Sequence, residues 1–292
     1  MNDDVKAIFL YRIMPKRFIP DFSKGAIYFS CCGKWISIAK AGGGKGQGDR
    51  HEGVFAKYQR KNSRKPIQHY KKIFGKDLII ESEGDYCLLR RKSSLYIPAV
   101  CFYSIDTQTI LQYVPNKEAE RIEQIAKETD EKDFLVENFP LTISDKYFEE
   151  FNLDSDEIEA VVIQPKGLLE QLKTNKAYYN KVKYIDTTTE YDIFSDNRFE
   201  RDFGMTLETA ISTHIEIFYK DINDYGHQCE FRAILPKRKL SSINKGLTLN
   251  VSGLSQHTFN NDSEKPINAN GIDFICNVKN QVFEANVIMK KK

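Results

Sequence analysis

Three groups of residues in this 292-residue chain carry functional-group chemistry. The first is Tyr225-Gly226-His227-Gln228-Cys229-Glu230-Phe231-Arg232. On a strand, Gln228, Glu230 and Arg232 project to one face while Cys229 and Phe231 face the other. Three polar side chains in register make either an exposed sheet surface or the floor of a cleft. The second group, Asp49, Arg50, His51 and Glu52, is the polar tip of a segment with six glycines between residues 39 and 53. So many glycines predict a mobile loop, either a plain surface connection or a flap that closes over a ligand. It is no phosphate-cradling loop of the Gly-Lys-Ser/Thr kind, because Gly46 follows Gly44-Lys45 where the hydroxyl residue belongs.

The third group is basic. Lys57 to Lys76 holds eight Lys/Arg and no acid, interleaved with Tyr58, Tyr70 and Phe74. Cations among aromatics suit a phosphate backbone with stacked bases. Lys57, Arg60, Lys61, Arg64, Lys65, Lys71 and Lys72 are therefore the candidate nucleic-acid contacts. The same run also reads as a solvated surface, or as a face that docks on the chain's own acidic segment. That segment, Glu118 to Glu159, sets fifteen acids against four bases and could receive a basic partner, such as an antitoxin or chaperone. A magnesium nuclease using Asp49, Glu52 and Glu230 is a further alternative, although no spacing brings those acids together. The five histidines stand in no nucleophilic-triad context, and the six cysteines form no zinc spacing, so no metal is expected.

These groups need elements to hold them. Apolar runs predict strands at Ala7–Met14, Ala26–Ser30, Ile97–Ile105, Ala160–Gln164, Lys181–Asp186 and Glu230–Leu235, with further strands at Leu247–Val251 and Ile272–Val278. Helical spacing points to Asn116–Thr129, to Pro165–Leu172 with proline in its first turn, and to Thr206–Lys220. Strands and few helices alternate without a regular βαβ repeat, so the expected class is α+β with mixed or antiparallel sheets. One domain, 1–292, is expected, with a core at 7–236 and a β-rich extension at 237–292. With 41% hydrophobic residues, 19 Phe and 15 Tyr, the chain can bury a core, which excludes wholesale disorder. No run approaches 18 apolar residues, and acids stand where a signal peptide has bases, so a cytoplasmic protein without a membrane partner is expected.

The order of short motifs carries a resemblance. Tyr11-Arg12 on an early strand, Gly25 to Ser30 (GAIYFS), Cys101-Phe102-Tyr103-Ser104, Val182-Lys183-Tyr184 and Gln228-Cys229-Glu230-Phe231-Arg232 follow one another over about residues 8 to 235. This layout resembles the ADP-ribosyltransferase scaffold, and also a widespread bacterial family with early Tyr-Arg and late Glu/Gln-x-Glu-x-Arg strands. The likeness is greatest to toxin and phage-defence enzymes that modify RNA or DNA. It departs from the bacterial family's Asn-Asp-Pro loop and lacks a Ser-Thr-Ser strand. The resemblance implies an NAD-dependent enzyme with an ADP-ribosyltransferase-like core. Glu230 and Gln228 would be catalytic; Arg12, Tyr28, Ser30 and Tyr103 would hold NAD. The competing expectation is a non-catalytic nucleic-acid-binding module of the same fold.

Overall fold

The computed structural model describes residues 7–43, 48–106, 139–143, 158–163, 165–252, 258–260, 267–269, 272–279 and 282–289. In chain order, β1 (Ala7–Pro15), α1 (Ile19–Ser23), β2 (Ala26–Phe29) and α2 (Cys32–Lys40) precede β3 (Val54–Gln59) and α3 (Arg64–Phe74). Then come β4 (Leu78–Glu83), β5 (Tyr86–Arg91), β6 (Ala99–Asp106), β7 (Phe139–Ile143), β8 (Ile158–Ile163) and α4 (Pro165–Thr174). They lead to β9 (Tyr178–Lys181), β10 (Lys183–Ile185), β11 (Tyr191–Asp192), α5 (Arg198–Phe203) and α6 (Leu207–Ser212). Next stand β12 (Tyr219–Asp221), α7 (Ile222–Tyr225), β13 (Glu230–Ile234) and β14 (Leu247–Asn250). The last strands are β15 (Thr258–Asn260), β16 (Ile267–Ala269), β17 (Ile272–Lys279) and β18 (Val282–Met289). The class is mixed α+β with several sheets, largely antiparallel. Among the described residues no helix is long and apolar enough to cross a membrane.

Two compact units divide the chain. The first comprises residues 27–101 and 172–249. Its sheet runs β11-β3-β5-β4, with Ala56 opposite Leu89 and Tyr191 opposite Lys57. Helix α3 packs on this sheet because Ile67, Tyr70 and Phe74 recur at helical spacing. The rings of Tyr70 and Phe74 lie 4.9 and 5.5 Å from that of Phe55. Full burial of an aromatic ring contributes about 1.5–3 kcal/mol, which Tyr70 approaches and the half-buried Phe74 does not reach. Gly75, at φ +53°, ends the helix in a conformation that favours glycine. Under the helix, Asp192 accepts hydrogen bonds from the hydroxyls of Tyr58 and Tyr70 and from the amides of Phe194 and Ser195. Strand β13 pairs antiparallel with β9, and β12 pairs parallel with β10.

The second unit takes its described residues from 4–26, 102–171 and 250–292. There β1 pairs antiparallel with β8, Arg12 facing Val161. A separate sheet runs β16-β17-β18-β7. Gly25 sits at φ +97°, and a Cβ there would lie 1.9 Å from the carbonyl oxygen of Val251, so the turn after α1 requires glycine.

Several expectations change. Thr206–Lys220 is not one helix: α6 stops at Ser212, His214 takes φ +54°, a 3-10 turn covers Ile215–Phe218, and Lys220 lies on β12. The side chain of His214, 7% exposed, reaches the hydroxyl of Ser94 through Nδ1 at 2.9 Å, so tertiary contacts override the helical period. Lys181–Asp186 splits at Val182, whose amide donates to the Glu230 carbonyl before the chain passes to β10. Helix α2 occupies a stretch with no expected element. The helix expected at Asn116–Thr129 lies outside the described residues, as does most of the acidic segment.

Candidate active site

The two polar motifs meet inside the first unit. Gly48 starts the approach: a Cβ there would stand 2.7 Å from the amide nitrogen of Ala39 and 2.8 Å from the carbonyl of Trp35. Only glycine lets the chain lie so close against α2. Asp49 then accepts from the amide of His51 at 2.7 Å and tightens the turn that brings Glu52 inward. Glu52 is 2% exposed. The tail of the glycine-rich segment is therefore buried structure at Asp49 and Glu52, not a loop tip. Residues 44–47 lie outside the described residues.

Strand β13 supplies the other half. Its opening is also a correction, because Gln228 ends a 3-10 turn and Cys229 (φ +46°) separates it from the strand. Gln228, Glu230 and Arg232 are all buried, so the shared polar face is not an exposed sheet surface. Arg232 donates through Nε to Glu230 Oε1 at 2.7 Å. Its Nη1 and Nη2 donate to Glu52 Oε2 and Oε1 at 2.7 and 2.9 Å, and Nη1 also reaches the Ile217 carbonyl. Lys220 donates to Glu230 Oε2 at 2.9 Å and to Gln228 Oε1 at 3.1 Å. The Trp35 ring lies 4.8 Å from the Arg232 guanidinium and the Tyr225 ring 4.3 Å from the Lys220 ammonium. The Glu230 amide donates to the Tyr184 hydroxyl at 2.8 Å, which ties the start of β13 to β10.

The two carboxyls are driven apart. Burial raises Glu52 against the opposing pull of Arg232 and then Lys220. Burial works on Glu230 in the same direction, but Arg232 first and Lys220 second outweigh it and bring its carboxyl down to about 2. Burial opposes the Lys220 ammonium as well, yet Glu230 and Glu52 hold it above its ordinary value. Cys101 donates its thiol to Glu230, and burial raises that thiol well up. Glu230 is thus a fixed negative charge at neutral pH, while burial works against the charged form of Glu52. Among the described residues no group of three or more His, Cys, Asp or Glu is arranged to hold a metal ion. The oxygens of Glu52 and Glu230 are taken by Arg232 and Lys220.

The other candidate residues have contacts of their own. Arg12 belongs to the second unit, its guanidinium 5.9 and 5.8 Å from the rings of Phe22 and Phe102. The ring of Tyr103, in the same unit, lies 5.2 Å from that of Tyr11, tilted by 30°. Tyr28 is 50% exposed in the first unit, its ring over Gly246, where a Cβ would come within 2.0 Å. Ser30 exchanges backbone hydrogen bonds with Ala99. Arg60, Lys61, Arg64, Lys65, Lys71 and Lys72 are exposed on α3 and the turn before it. Lys57 is set apart, donating to the Thr187 carbonyl at 2.7 Å and lying 4.3 Å from the Tyr86 ring. Tyr58, Tyr70 and Phe74 turn inward to Asp192 and Phe55, so they are not base-stacking rings as expected from the interleaving.

Lys220 and Trp35 are cluster members with no motif of their own, whereas Tyr225 and Tyr184 stand within motifs of the sequence that gave them no role. The one signal for Lys220 is a cation ending the short apolar run Ile217 to Tyr219, where a strand buried on both faces has to pair its charge. No family model, curated protein or solved structure matches the chain.

Proposed function

We propose that the protein is an NAD-dependent ADP-ribosyltransferase that modifies nucleic acid, with Glu230 as its central carboxylate. The observation that carries this reading is the meeting of Glu52 and Glu230, 178 positions apart, around Arg232 and Lys220 in one buried cluster. Shifted titratable groups gathered in one place are enriched at functional sites. In the proposed reaction the bond from the ribose C1′ to nicotinamide breaks, and nicotinamide leaves neutral with the bonding electron pair. The cationic sugar is stabilised by the Glu230 carboxylate, held ionised by its two cationic neighbours. An oxygen or nitrogen of the acceptor bonds to C1′, and its proton passes to solvent. The exposed cations of α3 supply the grip on the acceptor's phosphates.

Incubation with labelled NAD and RNA or DNA tests the reading. Wild type labels nucleic acid and Glu230→Gln does not; equal labelling by both, or by neither, removes the catalytic assignment. A second reading has its own observation. Glu230 is 3% exposed and each of its oxygens has a protein donor, an arrangement that also suits an ion cluster that only organises the fold. The protein would then be a non-catalytic nucleic-acid binder working through α3. That reading predicts salt-sensitive binding that survives Glu230→Gln, with no labelling by either form.

A further inference from the structure

The first unit holds a cleft of about 540 Å³ lined by Lys173, Lys176, Tyr178, Tyr179, Phe203 and Thr206, among other residues. Its volume falls in the range of small-molecule sites. Among the described residues that line it, the charged ones are Lys173 and Lys176, both cations. The backbone at one lip is unusual. Helix α4 closes with the Ala177 amide donating to the Leu172 carbonyl and the Lys176 amide to that of Lys173, both at 2.9 Å. This closure puts Lys176 at φ +57°, a position that glycine fills most easily. A lysine kept there at a cost in backbone energy brings a second ammonium to the rim beside Lys173. The aromatic wall is anchored from behind: Tyr178 packs edge-on against Phe218 at 5.1 Å, as does Phe203 at 6.1 Å.

From this geometry we infer that the cleft binds a nucleoside monophosphate unit. The two ammonium groups take the dianionic phosphate, and the aromatic wall takes the flat base. A bare anion would leave most of the cavity unfilled, and an uncharged aromatic would leave the cations unanswered. The unit can be a free nucleotide or the 5′-phosphorylated end of a strand, which share this chemistry. The inference is independent of any chemistry at Glu230.

Calorimetric titration tests it on the full chain with AMP, UMP, adenosine, ribose 5-phosphate, and a short single strand with and without a 5′-phosphate. AMP or UMP is expected to bind saturably, with adenosine and ribose 5-phosphate each at least tenfold weaker. If the end of a strand is the source, the 5′-phosphorylated strand binds at least tenfold tighter than its unphosphorylated form. Lys176→Gly relieves the left-handed backbone, so it is expected to raise Tm by roughly 1–3 °C while weakening nucleotide binding at least tenfold. Lys173→Ala weakens binding without a comparable gain in Tm, and Glu230→Gln leaves it intact. Absence of saturable binding by every ligand, or wild-type affinity in both lysine variants, overturns the inference.

Discussion

The ion cluster around Arg232 and the outer face of α3 use the same kinds of side chain to opposite physical ends. In the cluster every charge is buried and meets an opposite charge at fixed geometry, with Arg232 at 0% and Lys220 at 8% exposure. Taking those ions out of water costs several kcal/mol each, which their mutual attraction offsets only while the set is complete. On α3, Arg64, Lys65, Lys71 and Lys72 stay in water, where a charge is nearly neutral for folding and is available to a partner. Hence a charge run in sequence says little about folding, whereas a single lysine or arginine inside an apolar run says a great deal.

The contrast is broken most severely at Arg232. Arg232→Met leaves two buried carboxylates facing Lys220 alone and is expected to lose about 3–5 kcal/mol in a denaturant melt. A loss under 1 kcal/mol would mean that the cluster is not held as described. Glu230→Gln keeps the shape and removes one charge, with an expected cost of about 1–3 kcal/mol. Its pH dependence has a definite sign. A carboxyl lowered from 4.5 to about 2 in the fold contributes stability above pH 4.5 that is lost as pH falls toward 2. The Tm gap between wild type and Glu230→Gln should therefore be constant at neutral pH and close between pH 4.5 and 2. A gap unchanged across that window contradicts the lowered carboxyl.

Smaller effects sharpen the other side. Changing Arg64, Lys65, Lys71 and Lys72 to Gln should shift stability by no more than about 0.5 kcal/mol per site. The same change should flatten the slope of log affinity against log salt by roughly 0.7–0.9 for each phosphate that is no longer neutralised. Lys57→Met divides the basic run: a cost of about 1 kcal/mol in a melt from its missing bond to Thr187, with the salt slope unchanged. A slope change as large as that of the α3 substitutions would return Lys57 to the binding face.

Much of the framework is legible in local pattern. The strands at β1, β2, β6, β8 and β13 and the proline-started α4 follow from apolar runs and capping residues that need no partner to be recognised. Glu52, Glu230 and Arg232 are visible as polar residues in unusual settings, but their union is not, because a pairing across 178 positions leaves no periodic trace. Trp35 is illegible for the same reason: its role comes from what packs on it. The alternation of Gln228 with Glu230 misleads, since the left-handed Cys229 interrupts the strand between them. The aromatics of the basic run mislead in another way. Tyr70 and Phe74 have the spacing of a helix face, which packs inward, and Tyr58 lies on β3 with its hydroxyl on Asp192.

Nicotinamide release from NAD, measured with nucleic acid present for wild type and for Glu230→Gln at equal folded fraction, bears most directly on Glu230 as the carboxylate beside which the glycosidic bond breaks. Release by the wild type that falls by about 100-fold or more in the variant is the predicted result. Equal rates in the two forms, or no release by the folded wild type, would contradict it.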